Sequence, residues 1–490
     1  MSTTIWPKSS AKRVSRSLKA HSIVALALGG LIYVLALTGT LSVFNREFQR
    51  WEQPTAPEMT SIAPEAAALA AKTVFERKDP TTTHLYINFP QPDLPRTVIT
   101  TDTQAFFANP DGTIAFAEKF PWTQFLLDLH YYLHLPHILG LTVVGALGAF
   151  LIAMSISGFL AHPRIFRDAF RYRRGEGRVP LTDLHNRLSV WTAPFHISNA
   201  LTGAILGLAS ILGFAIATVS FNGDITKVFS PVFGEDPVAV EEKAILADIA
   251  GPLAYMGKEF PAQPPTFFIL HDPGTAGQHS SVIAKHTDRL IFGEYYQFDA
   301  NGTFKGTVGL ADGTVGQQIV GSVYNVHFGN WGGLPVKVAY VIFGLSLTTI
   351  IASGLRIYFV RRREQGRPAP RLEASWEAIV WGTPALLALS LPLALSGVLD
   401  ERGLVPVFWL GLMLVNAIAV TVGDASFVSR MLRIMTMVLV VFGVVFHLSL
   451  NPGVLLSYAV WPISASALLA ASLGLLGPIK LSFRAVASPG

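Results

Sequence analysis

Residues 183–203 read DLHNRLSVWTAPFHISNALTG, and the rest of the chain is best understood from them. His185 stands at the edge of an apolar run long enough to cross a bilayer, and His196 stands inside it. Eleven residues are close to three helical turns, so a continuous helix sets both imidazoles on nearly one face, roughly 16 Å apart. An imidazole facing the interior of a membrane bundle is costly without a partner. That partner has to come from another apolar segment or from a metal.

Composition narrows the classes. Of the 490 residues, 51% are hydrophobic and 14% charged, and the mean hydropathy is +0.44. A chain this apolar is a polytopic α-helical membrane protein. No basic patch interleaved with aromatics calls for nucleic acid. The absence of cysteine removes disulfides, iron–sulfur ligation, thiolate haem ligands and covalent haem attachment. Metal chemistry is left to His, carboxylate, Met or Tyr. No HExxH, GxSxG or helix-opening GxGxxG stands out, so neither a hydrolase nor a built-in nicotinamide or flavin site is indicated.

Charge placement then orders the chain. Residues 1–20 carry Lys8, Lys12, Arg13, Arg16 and Lys19 with no acid. The first apolar run, 21–44, is full length and reads as a retained signal anchor. Further spans cover 131–161, 188–219 and 327–360, and four more fall within 376–477, about eight in all. The loop 162–187 holds Arg164, Arg167, Arg171, Arg173, Arg174 and Arg178; Arg361, Arg362 and Arg363 open the linker 361–375, and Lys480 and Arg484 lie in the tail 478–490. These basic segments belong in the cytoplasm, with both termini.

The intervening segments, 45–130 and 220–326, are acidic on balance and read as α-then-β extracytoplasmic domains. Helices are expected at 64–78 and 238–256, and turns at Asn109-Pro110-Asp111-Gly112 and Asp299-Ala300-Asn301-Gly302.

Span, α+β domain, span occurs twice, and residues support the repeat. Ala36-Leu37-Thr38-Gly39 matches Ala200-Leu201-Thr202-Gly203, with His21 and His185 each seventeen residues before the threonine. Ser157-Gly158 matches Ser353-Gly354, with His130 and His327 lying 27 and 26 residues before the serines. A four-helix core with pseudo-twofold symmetry sets His21 and His185 near one membrane face and His130 and His327 near the other, His134 and His196 being additional.

Facing imidazoles on a small-residue bundle are what bis-histidine haem requires, each donating its second ring nitrogen to an acceptor. Asp183 and Asn186 are candidate acceptors for His185. Gly29, Gly30, Gly140, Gly145, Gly148, Gly203, Gly207 and Gly344 are expected to leave room for the macrocycle. The outer iron falls to His130 or His134 with His327, the inner to His185 or His196 with His21. Trp122, Phe125, Tyr131, Tyr132 and Trp331 either stack on a bound chelate or on the porphyrin edge, or form an interfacial belt. His84, His279 and His286 read as surface residues, and His447 as a packing residue.

The runs LHYYLHLPHILG (129–140), SISGFLAHPRIFRDAFRYRRGEG (155–177), DLHNRL (183–188), PFHISNALTG (194–203) and VHFGNWGG (326–333) resemble the PepSY-associated transmembrane family over about residues 15–365. Its members closest to this pattern are iron-uptake-associated inner-membrane proteins. The resemblance implies two PepSY-like domains, two b-type haems held among His21, His130, His134, His185, His196 and His327, and reduction of a ferric siderophore with release of Fe(II). The electron donor is then an unidentified cytoplasmic or quinol species, and the membrane lipid is the other partner. A haem-free iron or siderophore permease, or a peptide-binding regulatory protein, is the competing reading. The C-terminal spans depart from the simplest members.

Overall fold

The computed structural model describes residues 10–77, 82–162, 164–173, 175, 177–234, 240 and 242–476. Lys8, Arg174, Val238 and the tail with Lys480 and Arg484 lie outside them. In chain order the elements are α1 (Ala11–Ser42), α2 (Asn45–Glu52), α3 (Pro64–Phe75), β1 (His84–Asn88), β2 (Thr97–Thr100), β3 (Ala105–Ala108), β4 (Ile114–Ala117), α4 (Pro121–Tyr132), α5 (His137–Ala161), α6 (Ile165–Asp168), α7 (Arg178–Trp191), α8 (Ala193–Ser220), α9 (Thr226–Phe233), α10 (Ala250–Glu259), β5 (Pro265–His271), β6 (His279–Ala284), β7 (Glu294–Phe298), β8 (Phe304–Thr307), α11 (Val315–Phe328), α12 (Gly333–Glu364), α13 (Pro370–Leu395), α14 (Glu401–Val422), α15 (Ala425–Leu450) and α16 (Trp461–Leu476). They fall into two compact units, one of Met1–Asn45, Pro121–Leu208 and Leu334–Gly490, the other of Arg46–Phe120 and Ala209–Gly333.

The first unit is helical. Among the described residues seven helices, α1, α5, α8, α12, α13, α14 and α15, are long and apolar enough to cross a membrane, which makes this a multi-pass membrane protein. The expected eighth span shortens to the 16 residues of α16, roughly 24 Å of helix against a hydrocarbon core of about 30 Å. Pro452 starts a one-turn 3₁₀ segment, and further turns run up to Trp461. The continuous helix expected through His185 and His196 is broken at Thr192, between α7 and α8. Pro194 has no N–H to give, and its ring crowds the carbonyl four residues back. Thr192 instead donates its hydroxyl to the Leu188 carbonyl at 2.8 Å.

A second break separates α4 from α5. Leu133 and His134 both take φ of 56°, and Pro136 then opens α5. Gly140 permits the tight reversal, because a Cβ there would lie 2.3 Å from the Tyr132 carbonyl oxygen. Helix α4 is anchored to the C-terminal helices: the Trp122 indole donates to the Leu387 carbonyl at 3.0 Å and reaches Ser390 Oγ at 3.1 Å, and Phe125 meets Phe408 edge-on at 5.9 Å.

The second unit carries one antiparallel sheet in the order β4-β3-β2-β1-β5-β6-β7-β8. The two α-then-β segments of the repeat are therefore fused rather than separate, joined where β1 pairs with β5 through Tyr86↔Ile269 and Ile87↔Phe268. Ala67, Ala70, Ala71 and Val74 are buried at helical spacing on α3; with Leu253 and Met256 of α10 they share one core with Leu85, Ile87, Phe268, Leu270, Val282 and Phe298 of the sheet. Fusion makes the four-stranded halves mutual neighbours and, among the described residues, leaves β4 and β8 as edges, which limits exposed strand pairing. Both expected turns join strands, at β3–β4 and β7–β8. The second helix begins at Ala250, not near 238. Glu242 to Asp248 holds the chain to neighbouring loops instead, through Ala276 N–H to the Glu242 carbonyl and Ala244 N–H to the Gly274 carbonyl.

Candidate functional site

Three of the six candidate histidines share one local device. His21 Nδ1 lies 3.0 Å from the Met154 carbonyl oxygen and 3.3 Å from Ser157 Oγ. His185 Nδ1 lies 3.0 Å from the Ile350 carbonyl and 3.2 Å from Ser353 Oγ. His130 Nδ1 lies 3.1 Å from the Leu35 carbonyl, which also receives the Thr38 hydroxyl at 3.3 Å. A carbonyl oxygen only accepts, so Nδ1 carries the proton in each ring and Nε2 keeps its lone pair. That is the tautomer a metal-ligating imidazole adopts.

In all three cases the acceptor carbonyl precedes a hydroxyl residue by three positions, and a glycine follows: Leu35-Thr38-Gly39, Met154-Ser157-Gly158 and Ile350-Ser353-Gly354. The glycine makes room for the ring. A Cβ would fall 3.4 Å from His21 Cε1 at Gly158, 3.2 Å from His185 Cε1 at Gly354 and only 2.5 Å from His130 Cε1 at Gly39. Thr202, before Gly203, makes the same internal bonds as Thr38, to Ser198 O at 2.8 Å and Asn199 O at 3.2 Å. The repeated dipeptides were visible as markers of duplication, but their use as seats for imidazoles needed the helix pairing.

His21 and His185 line a single cavity of about 370 Å³ in the helical unit, within the roughly 300–1,000 Å³ of small-molecule sites. Its walls are mostly apolar, from Leu151, Ile32, Leu347 and Ile351, and Gly29, Gly158 and Gly354 open it further. His196 and His162 border it too, as does Arg361. His196 is committed elsewhere: its Nε2 is 2.7 Å from Thr192 Oγ1, and the ring also bonds the Phe343 backbone. Of the two inner candidates on this segment, His185 thus has the freer ring.

At the other end, His134 uses Nε2 to donate to the Phe125 carbonyl at 3.0 Å and stacks on that ring at 4.8 Å. Its bond closes the α4–α5 corner. His327 lies on α11 of the second unit, its ring edge-on to Phe328 at 5.3 Å.

Several expectations are corrected. Asp183 does not serve His185: it is taken by Arg173, whose Nε and Nη2 lie 2.9 and 2.6 Å from its carboxylate, and this hydrogen bonding holds the carboxyl below its usual range. Two arginine donors outcompete a neutral imidazole for a carboxylate. Most of the expected porphyrin glycines instead let helices touch. Gly145 and Gly207 meet α5 to α8, with a Cβ at Gly207 falling 2.7 Å from Gly145 Cα, and Gly344 faces Thr40. Trp122 and Phe125 are buried, so neither is free to stack on a chelate; Trp331 is exposed. Among the described residues no three His, Asp or Glu side chains are grouped to hold a bare metal ion.

The comparisons with known proteins agree with this architecture. An uncharacterized protein of Pseudomonas aeruginosa is 27% identical over 296 residues, covering 57% of this chain and 75% of that protein. The model of the PepSY-associated TM region matches residues 18–361, from just before His21 through Arg361, and so takes in every seat described above. The chain belongs to the PepSY-associated TM region family.

Proposed function

We propose that this chain is a b-type di-haem reductase of the bacterial inner membrane, delivering electrons to a ferric siderophore on the outer face and so releasing Fe(II). The observation that carries the reading is the pair His21 and His185: repeat-related, Nδ1-anchored in the same way, and lining one cavity. Two imidazoles are too few for a structural zinc site, which takes four ligands. They would suit haem, which is held by few protein ligands, His21 and His185 being the residues that would hold it. Haem, when bound, supplies a one-electron couple whose potential depends on its axial ligands and surroundings.

The chain's own residues do the rest. His21 and His185 would hold the inner group through Nε2, while the Met154 and Ile350 carbonyls keep each ring turned and in the correct tautomer. The Ser157 and Ser353 hydroxyls donate into those carbonyls at 2.9 and 3.0 Å and brace the seats. Ile32, Leu151, Leu347 and Ile351 give the cavity an apolar wall. Arg361 is the cation on its lining and the natural partner for an acidic substituent of the ligand. His130, seated on the Leu35 carbonyl, would serve the outer group. Reduction by one electron turns a hard ferric ion into a softer ferrous one that oxygen donors hold poorly, so the chelate lets go.

The test is spectroscopic. Purified full-length protein should show sharp dithionite-reduced b-type bands. His21→Ala and His185→Ala should each cost about half of the haem per chain, as expected for one of two bis-histidine groups, and His134→Ala should retain it. A colourless wild-type protein would sink the proposal.

A further inference from the structure

A second polar constellation lies where α12, α13 and α15 meet in the helical unit. Arg356 and Glu377 form a two-pronged ion pair there, Nε–Oε1 and Nη2–Oε2 both 2.6 Å, which satisfies both charges. Arg433 of α15 adds a further cation that makes no ion pair among the described residues. Its guanidinium lies over the Trp381 ring, 5.5 Å from the centroid. Arg433 Nε and Trp381 Nε1 are both buried, and neither finds a hydrogen-bond acceptor among the described residues. Both atoms are N–H donors, so what they lack is an acceptor.

Two orphaned donors beside one another in an apolar setting are costly if left unmet. The local charge says what would meet them. Arg430, one turn before Arg433, is exposed, and the acid at this helix start, Asp424, accepts the Ser426 and Phe427 N–H groups with Oδ1. The region is therefore cationic. Arg433 is eight residues into α15, about 12 Å from its end. A 26-residue helix overhangs a 30 Å core by several Å at each end, which leaves Arg433 shallow enough to reach headgroup level by snorkelling. Phe427, Met431, Ile434 and Met435 stand exposed on the same helix, a flank for acyl chains.

We propose that the contact between α13 and α15 at Trp381 and Arg433 binds an anionic phospholipid through its phosphate, with Arg433 Nε–H and Trp381 Nε1–H donating to the non-bridging oxygens and Arg430 adding charge at the headgroup. Basic pockets between helices near the cytoplasmic leaflet hold lipid headgroups by this combination. The site stands apart from the histidine cavity and does not depend on haem.

The experiment uses full-length protein in neutral phosphatidylcholine bilayers, with and without phosphatidylglycerol, read by native mass spectrometry and by thermal midpoint. Wild type should retain a phosphatidylglycerol that Arg433→Gln loses, and should melt higher only when that lipid is present. Trp381→Phe removes one donor and keeps the ring, so it should weaken retention while folding normally. Inorganic phosphate in neutral bilayers should do nothing. If phosphate alone reproduces the shift, the site takes a free anion and the lipid proposal is wrong. Equal retention by wild type and both variants would mean that the two donors hold water, and that also overturns it.

Discussion

A glycine and an acid show how much a single position can carry. Gly39 sits where a Cβ would fall 2.5 Å from His130 Cε1, a distance no relaxed contact allows, so Gly39→Ala should force the ring out of its seat. The expected outcome is a loss of about 1–3 kcal/mol from overpacking, seen as a lower thermal midpoint, together with loss of whatever His130 ligates, seen as haem per chain. Glu118, in the sheet unit, responds to pH. Burial pushes its carboxyl up from the ordinary 4.5 to about 7, against the pull of Arg96. A raised carboxyl stabilises most when protonated. That contribution is complete below 4.5 and lost as pH rises through about 7. Stability should therefore fall between pH 5 and 8 by at most about 1.4 kcal/mol per pH unit for one proton. Glu118→Gln should flatten that part of the profile, and an unchanged slope would remove Glu118 as its source.

Elements meet at small residues. Helices α5 and α8 approach so closely at Gly145 and Gly207 that the contact is backbone on backbone, the arrangement small residues make possible inside membranes. Gly145→Leu should separate the helices and lower the thermal midpoint clearly, whereas Gly257→Ala on α10, with nothing within 4 Å of its Cβ, should be neutral or stabilising by about 0.5–1 kcal/mol. Equal effects from the two substitutions would show that the close crossing is not what stabilises the pair. The β1–β5 seam makes a related point for the sheet. Each four-stranded half borders the other through five registered residue pairs, so the repeat is visible in the chain while its independence as two domains is not.

At the scale of the molecule, the C-terminal helices brace α1, which carries His21, and α12, which carries the seat of His185. Tyr33 of α1 donates to the Val380 carbonyl at 2.9 Å, the Trp376 indole to the Ala352 carbonyl of α12 at 3.2 Å, and Glu377 pairs with Arg356. Glu377→Gln leaves Arg356 a buried charge without its partner, and breaking such a pair costs about 3–5 kcal/mol. The full chain should lose thermal stability by that order, with the histidine seats still formed in what remains folded. A variant as stable as wild type would mean that Arg356 finds another counter-charge.

Much of this was legible in the chain itself. Apolar runs separated by basic loops identify spans because hydrocarbon and headgroup select residues by local composition alone. The matched Thr-Gly and Ser-Gly pairs disclose the duplication for the same local reason. What only the tertiary structure decided is partnership. His185 and His196 look equivalent in sequence, yet Thr192 engages one, and the Ile350 carbonyl, 165 residues away, orients the other. Asp183 stands beside His185 in sequence but turns to Arg173. A side chain's direction depends on which helices pack against it, and that is set by contacts between segments far apart along the chain.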